Sequence, residues 1–220
     1  MRQYLQFGRC GFQLQEQAPG GNALVMGILN ITPDSFSDAG KFQHLEFALS
    51  RAEQMILDGA DILDIGGESS RPGAPPVSLA DELQRVMPVL YALRDCGQPL
   101  SVDTWKPEVM REAILAGADM INDINGFRAP GAIEAVKDSD CALCIMHMQN
   151  VPETMQAQPQ YEDVVREVTD FLRERIDTMT AAGIARERLC VDPGFGFGKT
   201  VEQNYALLRA TRQLRSELDL

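Results

Sequence analysis

The sequence predicts an α/β protein built on a parallel sheet. Three observations carry that reading. Short apolar runs alternate with amphipathic helical stretches from Ala23 onward. The runs are nearly continuous rather than alternating, as parallel strands covered on both faces are. Polar residues gather where the runs stop: Asn30, Asp64, Asp103, Asn122, Asp123, His147 and Asp192. In parallel α/β folds, reactive groups collect at those strand ends.

Each element has its own signal. An N-terminal hairpin is expected from Tyr4–Phe7 and Phe12–Gln15, around Gly8-Arg-Cys-Gly11. The first parallel strand is read as Ala23–Asn30. Five more follow at Ile62–Gly66, Pro99–Asp103, Met120–Asp123, Ala142–His147 and Leu189–Asp192. Leu79, Leu83, Val86, Leu90 and Leu93 recur at helical spacing and define one apolar face. Ser78, with Asp81 three residues on, resembles a capping box at its start. Tyr161, Val164, Val165, Val168, Leu172, Ile176 and Met179 mark a second face, and Pro107 suits the first turn of another helix. Gly59-Ala-Asp61 and Gly117-Ala-Asp119 each precede a strand, which places each glycine just past a helix C-terminus. Strand-then-helix units of this kind form either a doubly wound sheet or a closed barrel. The dinucleotide fingerprint G-x-G-x-x-G is absent, which lowers the first option. A barrel needs eight units, and only about six fit between Ala23 and Leu220.

Composition narrows the function. The 220 residues suit a single domain over 1–220. Apolar residues make up 45% and charged residues 24%, the balance of a globular protein. The net charge of −12 argues against non-specific nucleic-acid binding. No apolar run approaches a membrane span, and the first residues lack the apolar segment of a secretory leader, so a cytoplasmic protein is expected. Five cysteines at irregular spacing do not make a disulfide framework. Cys141 and Cys144 form a C-x-x-C, but within a strand they point to opposite faces and cannot meet. With only His44 and His147, a His-rich metal site cannot be built.

Three loops stand out against this background. The first runs from Asn30 to Gly40 and is rich in turn formers. The second, Gly66-Gly-Glu-Ser-Ser-Arg-Pro-Gly73, sets one arginine among glycines and hydroxyls, a composition able to hold a phosphate. The alternative is a plain connection. The third, Asp192-Pro-Gly-Phe-Gly-Phe-Gly-Lys-Thr200, ends like a P-loop but has Pro193 where that pattern needs glycine. Convergent carboxylates and amides suit a polar heterocycle with N–H donors better than a serine or cysteine nucleophile site.

These segments together resemble the bacterial dihydropteroate synthase family. The resemblance rests on Met26-Gly-Ile-Leu-Asn-Ile-Thr-Pro-Asp-Ser-Phe-Ser-Asp38, the Gly66 to Ala74 loop, Ser101-Val-Asp-Thr104, Ile121-Asn-Asp-Ile124, Met146-His-Met148 and Asp192 to Lys199. It runs in order from about Leu24 to the last residue. It implies a TIM barrel that joins a dihydropterin-methyl diphosphate to 4-aminobenzoate, with Mg²⁺ as cofactor, a homodimeric assembly and sensitivity to sulfonamides. By the same resemblance Asp192 and Asn122 read the pterin edge, and Asp103 contacts the pterin and stabilises charge at the reacting methylene. Asn30 stands near Mg²⁺ and the diphosphate, and Arg71 faces the diphosphate. Ser70, where the family more often has threonine, together with Met146, Phe197 and Lys199, completes the substrate-binding set. The family continues with a seventh and an eighth strand that supply a lysine, an arginine and a histidine. The present chain is therefore expected to be an incomplete barrel. Alternatives are an inactive fragment with a partial pterin pocket, or a pterin-binding methyltransferase domain, from which the first two loops distinguish it.

Overall fold

The computed structural model describes residues 4–13, 23–31, 41–69, 71, 73–149, 155 and 159–220. Two strands, β1 (Tyr4–Phe7) and β2 (Cys10–Gln13), form an antiparallel hairpin. Phe7 pairs with Cys10, so the turn is the two residues Gly8 and Arg9 rather than the wider one expected. A glycine leading a two-residue turn matches the twist of a hairpin, which is why the shorter connection is adopted.

Six strand–helix units follow. They are β3 (Met26–Asn30) and α1 (Lys41–Leu57), β4 (Ile62–Gly66) and α2 (Leu79–Leu93), and β5 (Leu100–Asp103) and α3 (Pro107–Leu115). The chain continues through β6 (Met120–Asp123) and α4 (Ala132–Val136), β7 (Ala142–Met146) and α5 (Val164–Ala181), and β8 (Leu189–Asp192) and α6 (Val201–Leu218). The six strands are parallel and ordered β3-β4-β5-β6-β7-β8, each beside its sequence neighbour. A doubly wound sheet reverses its order part-way, and this one does not. The sheet is a singly wound arc, six strands of a barrel.

Local chemistry explains the boundaries. Ser78 Oγ caps α2 by accepting the Asp81 N–H, as its spacing predicts. Pro107 opens α3. Tyr161 falls before α5 rather than inside it, because Asp163 caps that helix by accepting the N–H groups of Val165 and Arg166. Gly59 and Gly117 have φ of +98° and +97°. Each directs the chain out of a helix and into β4 or β6, with Ala60 N bonded to Met55 O and Ala118 N to Ala113 O.

The outward-facing strand residues, among them Leu63, Ile65, Leu100, Val102, Ile121, Leu143 and Ile145, pack under the helices with Val86, Leu90, Met110, Val168, Leu172 and Ile176. The inward-facing set differs. At the lower end of the barrel Phe7 packs against Ile62, Met120 and Ala142, so the hairpin plugs the lumen. Asp119 fastens the plug. Its buried carboxylate accepts the Arg9 backbone N–H at 3.0 Å, Arg9 Nε at 3.1 Å, Arg9 Nη2 at 3.0 Å and the Leu100 N–H at 3.0 Å. Asp119→Ala is expected to cost about 3 kcal/mol, since two backbone donors and a guanidinium lose their acceptor together. Denaturant unfolding checks this, and a loss below about 1 kcal/mol would show that the plug holds without Asp119.

Candidate active site

Side chains on alternate strand positions face the lumen, and they form layers above the plug. The middle layer is polar. Asp64 of β4, Ser101 of β5 and Asn122 of β6 project inward beside Cys144 and Cys190, which are register partners on β7 and β8. Asn122 Nδ2 donates to Asp64 Oδ2 at 3.1 Å. Asp64 Oδ1, Asn122 Oδ1 and Ser101 Oγ are buried and make no hydrogen bond of good geometry within the protein, although the Ser101 hydroxyl stands beside the Asp64 carboxyl. Buried polar atoms are rarely left so, and three in one layer mark this as the polar part of the lumen.

The upper layer stands at the strand ends. Gly66 lies between two functional groups: a Cβ placed there would come within 3.3 Å of Asn30 Oδ1 and 3.6 Å of Asp103 Oδ2. Asp103 is held well above the usual carboxylate range by burial and then by the nearby charges of Asp64, Asp123, Glu82 and Glu68. Burial, the first of these causes, favours the neutral acid, and the neighbouring carboxylates act in the same direction. Asp192 is also raised, chiefly by burial, although the Gly194 N–H donates to its Oδ1 at 2.7 Å. An apolar shelf beside these groups is made by Ile124, Met146, Met148 and Met155, with Trp105 and Phe197 packed on it. The expected ring-slot residues Met146 and Phe197 therefore share one surface. Arg71 is exposed in the β4–α2 loop, its N–H 3.4 Å from Ser69 Oγ. Ser70 and the greater part of the first loop, residues 32–40, lie outside the described residues.

One residue is placed otherwise than the sequence reading expects. Lys199 does not reach the lumen with a free donor. Its ammonium lies 2.8 Å from Gly194 O, 2.9 Å from Phe197 O, 3.3 Å from His147 O and 3.0 Å from His147 Nδ1. Its three protons are thus spent inside the 192–200 loop, and burial lowers its pKa to about 8. Burial, with Lys199 alongside, also takes His147 down to about 3, so the ring is neutral and accepts from the ammonium. Asp123, to which the resemblance gives no role, faces away from the lumen and caps its own loop, accepting the Asn125 and Phe127 N–H groups at 2.7 Å each.

Asp64 and Ser101 line the same layer as Asn122, although the resemblance gave neither of them a role. Parity was the available signal, because Asp64 sits two residues before the lumen-facing Gly66. Among the described residues no group of three His, Cys, Asp or Glu side chains converges as a metal cage. A hard ion that keeps several waters and shares phosphate oxygens needs only one or two protein oxygens. Asn30 Oδ1, beside the gap that a Cβ on Gly66 would fill, is compatible with that lesser demand.

Comparison with known proteins matches residues 26–220 to the family model of pterin binding enzymes. The chain belongs to the pterin-binding enzyme family. Among relatives of this pterin-binding chain, the dihydropteroate synthase of Escherichia coli K12 is 52% identical over 185 residues, covering 84% of this chain and 66% of the relative. That of Haemophilus influenzae is 52% identical over 188 residues, covering 84% and 68%. This pterin-binding chain thus spans about two thirds of the length of those relatives. Among solved structures, Burkholderia cenocepacia dihydropteroate synthase complexed with 7,8-dihydropteroate superposes with a TM-score of 0.84 at 54% identity, covering 96% of this chain and 70% of that one. Xanthomonas albilineans dihydropteroate synthase with 4-aminobenzoic acid gives 0.88 at 45% identity, covering 98% and 75%. The six-stranded arc is the corresponding part of their barrel.

Proposed function

We propose that this chain carries the pterin-side machinery of a dihydropteroate synthase. The observation that supports it best is the middle layer: three buried polar atoms without a hydrogen bond of good geometry, beneath strand-end carboxylates and beside an apolar shelf fit for a flat ring. A pterin presents amino and ring N–H donors on one edge and acceptors on the next. Asp192 and Asp64 supply acceptors, while Asn122 offers one amide as donor and acceptor together. Met146 and Phe197 cover the ring faces, and Ser70 belongs to the same substrate-binding set by its place in the sequence.

The chemistry requires no protein nucleophile. The amine nitrogen of 4-aminobenzoate attacks the pterin methylene, the bond from that carbon to the diphosphate oxygen breaks, and the amine proton passes to solvent. Positive charge develops at the methylene as diphosphate departs. Asp103, in its carboxylate form, stabilises that charge most where it is greatest, in the transition state. Arg71 faces the diphosphate and offsets its charge. Asn30 would hold a Mg²⁺ ion, which would supply further neutralisation of the leaving group. A homodimer and a cytoplasmic location belong to the same reading. Val201, Tyr205 and Leu208 form an exposed apolar stripe on α6 that would serve self-association, and light scattering over a concentration series tests it.

The assignment of Arg71 is tested by separating the two halves of the substrate. Arg71→Ala is expected to weaken inorganic diphosphate binding by about 1.5–3 kcal/mol, the range for a charged hydrogen bond. Binding of a diphosphate-free 6-hydroxymethylpterin should stay nearly unchanged. Equal losses of both ligands in calorimetry would show that Arg71 contacts the ring or holds the fold.

A further inference from the structure

Arg71 sits on an exposed loop, where an unsupported guanidinium would lose orientation. The base of that loop is tied by charged groups from two other elements. Glu68 Oε1 accepts the Val77 N–H at 3.2 Å, which draws the two sides of the loop together around Arg71. Its other oxygen, Oε2, is ion-paired with Lys106 Nζ, from the connection between β5 and α3. The same ammonium pairs with Glu82 of α2, a fully buried carboxylate whose Oε1 accepts Thr104 Oγ1 at 2.6 Å. Lys106 is itself held, its N–H donating to Thr104 Oγ1 at 3.2 Å and its ammonium 4.9 Å from the Trp105 ring centre. Arg85 Nη1 fixes the near side of the loop through Gly67 O at 2.8 Å. Burial would lower the Lys106 pKa, but Glu68 and Glu82 outweigh it and raise it, so the ammonium stays charged.

We propose that Lys106 is a positioning residue for Arg71, acting through Glu68 to hold the β4–α2 loop over the diphosphate. This rests on the functional reading above, in which Arg71 meets the diphosphate. Lys106 itself touches no substrate. It converts the strand-end framework next to Asp103 into a fixed base for a loop that otherwise ends in solvent. The loop and the reacting carboxylate are thereby registered to one another through two short connections. An ion pair inside this wall is harder to exchange with water than an exposed one, so the register persists between turnovers.

The test is a double-mutant cycle on this chain, with inorganic diphosphate as the probe and 6-hydroxymethylpterin as the control ligand. Lys106→Met is expected to lower diphosphate affinity about tenfold, within the range of coupled neighbours, and to leave pterin affinity within about twofold. Lys106→Arg should restore most of the loss. In an Arg71→Ala background, Lys106→Met should have almost no further effect, because its influence passes through Arg71. Glu68→Gln, which leaves Lys106 paired with Glu82, should reproduce the loss if Lys106→Met proves too unstable to study. Full additivity of Lys106→Met and Arg71→Ala, or loss of both ligands in Glu68→Gln, would overturn the inference. Silence of Lys106→Met beside a strong Arg71→Ala effect would overturn it alone, whereas silence of Arg71→Ala would overturn the functional reading beneath it.

Discussion

Asp192→Ala is expected to abolish pterin binding, and Asp192→Asn to weaken it by about 1.5–3 kcal/mol, the worth of a charged hydrogen bond. Asp192 ends β8, where the Gly194 N–H already fixes Oδ1. The carboxylate is thus oriented before any ligand arrives, and a pterin gains from it without ordering a side chain. Alanine removes both acceptors and leaves the Gly194 N–H without its partner. Asparagine keeps one oxygen for that contact but presents an amide N–H₂ where the ligand also offers donors. Calorimetry with a diphosphate-free pterin decides the matter, and unchanged affinity in both variants would remove Asp192 from the site.

Gly194→Ala should damage the molecule more broadly. Gly194 has a φ of +70°, and a Cβ there would stand 2.0 Å from the His147 backbone oxygen. That contact is with main chain at the end of β7, so no side chain can swing aside. The loop must instead move, and with it the four contacts that occupy Lys199 and the seat of Phe197. A loss on the order of 3–5 kcal/mol in stability is expected, in the upper tail for single substitutions, together with loss of pterin affinity. Gly196→Ala, at φ +82° but with nothing within 4 Å of its Cβ, is the control and should cost about 1 kcal/mol from backbone strain alone. Equal effects at the two positions would show that strain, not the collision with His147, governs the loop.

Much of this site is legible in the sequence because barrel strands are short and their punctuation is local. The limits of β4, β6 and β8 follow directly from apolar runs bounded by glycine or acidic residues. The polar strand ends Asn30, Asp103 and Asp192 sit at the mouth for the same reason. What escaped depends on tertiary geometry. Asp64 reads as one more strand-end cap until the register sets it opposite Ser101 and, through a hydrogen bond, against Asn122. Lys199 sits in the 192–200 loop in sequence, yet one of the carbonyls that capture it belongs to His147, just past β7 and 52 residues away. Asp123 was separable in principle, since neighbours on a strand face opposite ways and Asn122 already claims the lumen. The hairpin turn was drawn too wide because Cys10 has no local feature that marks it as a strand residue. Chemistry-bearing residue types can be read from order alone, while the direction each points needs the neighbouring strand.

The Phe7 plug closes the lower end of the lumen, which a barrel completed by two further strands would turn into a cul-de-sac. Under the proposed function, whatever occupies the polar middle layer of that completed barrel enters and leaves by the strand-end mouth, past the position of anything bound above it. Order of exchange then becomes a property of the architecture: the pterin loads first, the arylamine second, and the joined product departs as one piece before a new pterin can descend. A saturating amine should accordingly slow the escape of a labelled pterin in a chase experiment, as a stopper slows the emptying of a flask with a single neck.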